Sequence, residues 1–171
     1  MEFARSPRCT DHPYVLQSHG ATAQVRYEPG ESESGMFGGN SNWRGPVWFP
    51  LNFLLVEVLE RYHHFYGDEF QIEFPARSGQ MRNLKEVAHL VAERLCALFL
   101  PDAKGWRPSH GEEPRYQTDE HFRKLVTFYE FFHGDTGKGL GAAHQTGWTA
   151  LVVELLADVI AARNTKSGVS S

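Results

Sequence analysis

Two stretches of the chain combine residue types that could do chemistry. In the first, Gly38-Gly39-Asn40-Ser41-Asn42-Trp43-Arg44-Gly45-Pro46-Val47-Trp48, two tryptophans flank an arginine ahead of an apolar, helix-forming run. A guanidinium offers a fork of donors that suits hydroxyls and carboxylates. Indole faces offer stacking area, and a helix start adds backbone N–H groups with no partner inside the helix. The same residues also read as a capped loop, with Trp48 in the core and Arg44 in a structural ion pair. In the second stretch, Phe128-Tyr129-Glu130-Phe131-Phe132-His133-Gly134-Asp135, a carboxylate is flanked by aromatic rings on both sides. Such a group is a candidate general base or acid. The alternative is that strand alternation turns Glu130 to water from a half-buried strand.

A third stretch, Gly137 to Trp148, is rich in glycine. It is not a phosphate-binding loop, because Gly139 and not Ser or Thr follows Lys138. Asp135-Thr136-Gly137 has the aspartic-protease triplet, but the second copy and the all-β chain that chemistry needs are missing. The nine histidines suggest metal binding. However, His63 and His64 are adjacent on a predicted helix, and no HExxH or paired CxxC spacing occurs. The sequence calls for no metal and no cofactor.

The elements that must position these residues are mostly helical. With 171 residues, one domain is the expectation. The set AVILMFWYC makes up 41% and DEKR 22%, a globular composition. A net charge of −4 argues against the basic stripe of a nucleic-acid binder and against a polybasic membrane anchor. No apolar run reaches the roughly 20 residues of a membrane helix, and residues 1–8 have no apolar secretory core. Cys9 and Cys96 do not make a disulfide scaffold, and Cys96 falls in an apolar helical pattern as a small core residue. The cytoplasm is the expected compartment. The 12 Phe, 6 Tyr and 4 Trp either fill a core or line a ring-binding cleft.

Residues 14–27 read as a short hairpin and 28–45 as a long loop. Residues 46–66 read as a helix opened by Pro46. Its buried face is expected to carry Leu51, Leu54, Leu55, Val58, Tyr62 and Phe65, with Gly67 just past its end. After a connection at 70–80, Asn83 caps a helix running to about Leu100, with Glu86 completing a capping box. Its stripe is Leu84, Val87, Val91, Leu95 and Leu98. A brief helix is expected at 119–124, a strand at 125–132, and a last helix from Trp148 to about Ala162 on an inner face of Trp148, Val152, Leu155 and Val159. A polar tail, expected to be disordered, follows. The fold class is therefore mainly α: three long helices, long loops and possible short strands.

The run Asn42-Trp43-Arg44-Gly45-Pro46-Val47-Trp48, followed by Tyr129-Glu130, Thr136-Gly137 and Gln145-Thr146-Gly147-Trp148-Thr149-Ala150-Leu151, resembles the C-terminal part of glycoside hydrolase family 63. The family includes processing α-glucosidases and mannosylglycerate hydrolase-like enzymes. The resemblance covers about residues 35 to 160. It implies the C-terminal portion of an (α/α)6 barrel over residues 35–162, after an irregular segment 1–34 and before a tail 163–171. It also implies inverting hydrolysis of α-glucosides, α-mannosides or short oligosaccharides. Glu130 matches the family's base. Trp43, Arg44 and Trp48 match the segment bordering the sugar, and Gln145 and Trp148 match the turn and helix facing the same pocket. The family's acid, an Asp, lies well upstream, and Asp11, the only Asp before Trp43, has different surroundings. The resemblance therefore implies the last part of a hydrolase, inactive by itself, with a carbohydrate as partner and with self-association through exposed helix faces. The alternative is a non-catalytic helical module that binds sugar or a protein.

Overall fold

The computed structural model describes residues 13–33 and 43–168. Cys9, Asp11 and residues 34–42, which include Gly38 to Asn42 of the first motif, lie outside them, as do residues 169–171. In chain order the elements are β1 (Tyr14–Ser18), β2 (Ala21–Val25), α1 (Phe49–Tyr66), β3 (Gln71–Glu73), β4 (Met81–Asn83), α2 (Leu84–Ala97), a 3-10 turn (Pro108–His110), α3 (Arg115–Thr118), β5 (Phe131–Phe132), β6 (Gly139–Leu140), α4 (Thr146–Thr149) and α5 (Val152–Gly168). Among the described residues the fold is mixed and mainly helical, with three two-stranded antiparallel sheets, β1–β2, β3–β4 and β5–β6. The chain divides into two compact units: Met1–Trp48 with Pro108–His144, and Phe49–Arg107 with Gln145–Ser171.

The second unit holds the three long helices, with α2 packed against both α1 and α5. Leu84, Val87, Ala88, Ala92, Leu95 and Cys96 of α2 are buried with Val152, Leu155 and Val159 of α5. The expected α2 stripe holds except at Val91, which is half-buried. Arg163 Nη2 on α5 meets Glu93 Oε1 on α2 at 3.0 Å. The Cys96 thiol is buried, and that burial pushes its pKa up to about 11. The capping box is present: Glu86 N donates to Asn83 Oδ1 at 2.9 Å, and Asn83 N donates to Glu86 Oε2 at 3.0 Å. Asn83→Ala is expected to lower the stability by about 1 kcal/mol in urea unfolding. No shift in the midpoint would mean that the β3–β4 hairpin starts the helix unaided.

Two helix expectations are corrected. α1 begins at Phe49 and not at Pro46, because Val47 is held in extended backbone by exchanging both hydrogen bonds with Phe132 (2.8 and 2.9 Å). The expected buried face of α1 is the exposed one: Leu54 is 57% and Phe65 78% accessible, and Leu51, Leu55, Val58 and Tyr62 are also exposed. The packed face carries Phe49 and Val56, with Asn52, Phe53, Leu59 and His63 half-buried beside them. α1 is thus apolar on two sides. A helix apolar all round is what a helix covered on both sides needs. Six large side chains left in water forgo on the order of 10 kcal/mol of burial.

In the first unit, β1 and β2 form the expected hairpin. Tyr14 pairs with Val25, and a His19-Gly20 turn has both residues at positive φ (49° and 77°). The brief helix lies at Arg115–Thr118 and not at 119–124, where Asp119 Oδ1 instead accepts from His121 N (2.8 Å) and Phe122 N (3.2 Å) in a turn. The strand expected over 125–132 shrinks to Phe131–Phe132, because its partner Gly139–Leu140 is only two residues long. In the second unit the last helix is broken into α4 and α5, and α5 runs past the expected end to Gly168. Among the described residues, no helix is long and apolar enough to cross a membrane.

Candidate functional site

The residues around Trp43 and Glu130 are assembled by backbone pairing within the first unit. Val47 pairs antiparallel with Phe132, and Phe132 pairs in turn with Gly139. These bonds place the 43–48 segment, the strand after Glu130 and the glycine-rich return strand side by side. Further back, Phe128 bridges to His144, and Glu130 N donates to Ala142 O at 2.9 Å.

Three rings form a column on this frame. Trp43 stacks on Trp48 (centroids 4.2 Å apart, planes at 8°), and Trp48 stacks on Phe131 (4.6 Å, 23°). Trp48 is buried at 3% exposure and Phe131 at 1%, whereas Trp43 is 50% exposed. Trp48 is therefore a core residue, and the stacking area open to a ligand belongs to Trp43.

Arg44 is half-buried, with its Nη2 3.2 Å from Glu28 Oε2. The structural ion pair is thus present. Glu28 is buried, and its other oxygen lies 3.6 Å from Arg26 Nε. The backbone makes this approach possible. A Cβ on Gly45 would collide with the Glu28 carbonyl and come within 2.8 Å of Pro29 Cα. Gly134 N donates to Pro29 O at 2.7 Å, and the Tyr27 hydroxyl donates to Asp135 Oδ1 at 3.0 Å. Residues 27–29 therefore strap the Arg44 segment to the turn after Phe132.

Glu130 is half-buried, neither sealed in the core nor fully turned to water. Ala142 N donates to its Oε2 at 3.3 Å. Gly141, at φ +69°, makes the wall beside it; a Cβ there would stand 2.7 Å from that oxygen. On the neighbouring residue, the Tyr129 hydroxyl lies 3.2 Å from the Tyr116 hydroxyl, which is 3.4 Å from Thr127 Oγ1. Burial, and then the hydrogen bond to Tyr116, push the Tyr129 phenol pKa up. Gly139 is needed because a Cβ there would enter the Tyr129 ring. Tyr116 also stacks on the buried His110 at 3.8 Å. A cavity of about 330 Å³ adjoins this cluster, lined by His110, Arg115, Tyr116, Phe122, Tyr129 and Lys138 among others.

Trp43, Arg44, Trp48 and Glu130 thus share one unit. Gln145 and Trp148 belong to the other, where Gln145 O accepts from Trp148 N (3.1 Å) and Thr149 N (2.7 Å) at the start of α4. Among the described residues, no group of three His, Cys, Asp or Glu side chains could hold a metal. The sequence reading missed Glu28, Tyr27 and the His110–Tyr116–Tyr129 cluster. Glu28 precedes Pro29-Gly30 in a Glu- and Ser-rich run, and nothing in that pattern marks it as buried.

The chain is 31% identical over 121 residues to the mannosyl-oligosaccharide glucosidase of Saccharomyces cerevisiae, a match covering 70% of this chain and 11% of that protein. It is 28% identical over 120 residues to a probable mannosyl-oligosaccharide glucosidase of Schizosaccharomyces pombe, again 70% of this chain and 11% of the other. Most of this chain is distantly similar to mannosyl-oligosaccharide glucosidases. It is also 51% identical over 150 residues to the uncharacterized protein YMR196W of S. cerevisiae, covering 86% of this chain and 14% of that protein. The chain therefore spans only 11–14% of the length of these relatives. No family model and no solved structure matches it.

Proposed function

We propose that this chain is the base-bearing portion of an inverting α-glycosidase of the family 63 kind, acting on α-glucosides, α-mannosides or short oligosaccharides. One observation carries the reading. The half-exposed Trp43 and the half-buried Arg44 and Glu130 stand in one compact unit, within a chain similar over 70% of its length to two mannosyl-oligosaccharide glucosidases. In this reading the open face of Trp43 stacks on a pyranose ring and Arg44 donates to its hydroxyls. Trp48 backs Trp43 from the core. Gln145 and Trp148 are carried as substrate-binding residues by the resemblance alone.

Glu130 is the general base. It takes a proton from a water that attacks the anomeric carbon on the face opposite the leaving group. A carboxylic acid elsewhere in the protein protonates the departing oxygen, about 6.5–9.5 Å from the base, so that the water fits between. Ala142 N–H on Oε2 and the Gly141 wall fix the carboxylate's direction. The two-sided apolar surface of α1 supports a helix sandwiched in a double-layered (α/α)6 barrel, of which residues 35–162 would be the last part.

The test uses the complete protein carrying this segment, given α-glucosides, α-mannosides and glucosylated oligosaccharides, with proton NMR of the first product. The expected product is the β-anomer, and the 171-residue chain by itself is expected to show no measurable turnover. Release of the α-anomer first would rule out an inverting base. No hydrolysis of any of these substrates by the complete protein would favour the non-catalytic binding module.

A further inference from the structure

We propose that Tyr116 is a positioning residue for Glu130, acting through Tyr129; this rests on reading Glu130 as the base. Tyr116 belongs to α3, and its side chain meets the approach to Glu130 at two points. Its hydroxyl lies 3.2 Å from the Tyr129 hydroxyl, one residue before Glu130, and 3.4 Å from Thr127 Oγ1, three residues before it. Tyr116 is itself fixed. It is buried, its ring stacks on the buried His110 (3.8 Å, planes at 13°), and it meets the Phe122 ring at 5.9 Å, near edge-on. A buried ring packed on two sides holds its hydroxyl in one place. Thr127 is buried as well, so these bonds tie the segment before Glu130 to a fixed point inside the unit.

The Tyr129 ring has no second place to go. It lies flat against Gly139, where even a Cβ would enter the ring. Gly139 pairs with Phe132, and the chain running on from it brings Gly141 and Ala142 to Glu130. There Ala142 O accepts from Glu130 N at 2.9 Å. That backbone bond sets how far Glu130 stands from the return segment. The Tyr116 contact sets how residue 129, and with it the peptide leading into Glu130, is turned. A base must reach its water in the geometry of attack, and a misplacement of about 1 Å can cost about 10²-fold in rate. Tyr116 therefore acts on the reaction through Tyr129, and touches no substrate itself.

The experiment measures kcat and KM of the complete protein on glucosylated oligosaccharides and on p-nitrophenyl α-mannoside, alongside urea unfolding. Tyr116→Phe keeps the stacked ring and removes only the hydroxyl. It is expected to lower kcat about tenfold with KM within about twofold. Tyr129→Phe breaks the same bond from the other end, is expected to do the same, and stands in should Tyr116→Phe fail to fold. The double variant is expected to fall no further than the worse single one, because one interaction is shared. The urea midpoint is expected to drop in either role, since a buried hydrogen bond is lost; kcat tells the roles apart. Asn83→Ala, in the other unit, is the control: its midpoint drops too, and its kcat is expected to stay within about twofold. If Glu130→Gln collapses kcat but both tyrosine variants turn over as wild type, or Asn83→Ala loses as much kcat as they do, Tyr116 is a stability residue only; the positioning role is overturned and the base reading survives. If Glu130→Gln turns over as wild type, or the complete protein cleaves neither probe, the base reading fails and the positioning role goes with it.

Discussion

Replacing Glu130, the proposed base, by Gln in the complete protein is expected to lower kcat by about 10²–10⁴-fold while KM changes little. The substitution keeps the shape of the side chain and an oxygen that can accept the Ala142 N–H, a 3.3 Å contact in the native chain. What it removes is the capacity to take a proton from water. That capacity matters in the transition state, where the water becomes a nucleophile, and hardly at all in the ground state. The loss therefore falls on turnover and not on binding. Steady-state rates with a glucoside substrate, together with an affinity measured on the inactive variant, separate the two. A kcat within a few-fold of wild type would mean that Glu130 is not the base and that its place beside Ala142 serves the turn alone.

Gly45→Ala is expected to destabilise the chain by about 3 kcal/mol or more, among the larger single-residue effects. The backbone at Gly45 is not in the left-handed region, so alanine meets no φ penalty there. By unfolded-chain entropy alone, the change would stabilise by about 0.4–1 kcal/mol. The collision decides the sign. The added Cβ runs into the Glu28 carbonyl and stands 2.8 Å from Pro29 Cα, and both are backbone, with no flexible side chain to swing away. Gly147→Ala in α4 is the control: a Cβ there meets nothing within 4 Å, and the change is expected to be neutral or mildly stabilising. Denaturation of both variants, followed by Trp emission, gives the difference. If Gly45→Ala unfolded no more easily than Gly147→Ala, the close backbone packing would be wrong.

What could be read from the sequence was local. Asn83 and Glu86 mark a helix start because both halves of the box lie within one turn. Val152, Leu155 and Val159 mark an inner face because they recur at helical spacing, although Val153 and Ile160 stand exposed on other sides of α5. Gly67 ends α1 as expected, at φ 72°, with its N–H on His63 O at 2.7 Å. α1 misled for the opposite reason. Periodicity identifies a face when a helix has one apolar side, and α1 has two, so Leu51 and Leu54 could not be told from Phe49 and Val56 by spacing. The candidate site was legible as residue types, Trp43, Arg44 and Glu130, but not as geometry. Nothing in a five-residue separation says that Trp43 and Trp48 stack, or that Trp48 is sealed by Phe131. Glu28 was hidden because its partner is 16 positions away in a stretch without period.

The strap at residues 27–29 also has a consequence in time. Tyr27 and its acceptor Asp135 are 108 positions apart. At about 5–20 residues per second, a ribosome adds that much chain in roughly 5–20 s. For much of that interval Trp48 has been made while Phe131, which stacks on it, and Phe132, which pairs with its neighbour Val47, have yet to be made. The first unit cannot close as it is synthesised, because its two segments are separated by all of α1 and α2. During that delay Phe131 is not there to seal Trp48.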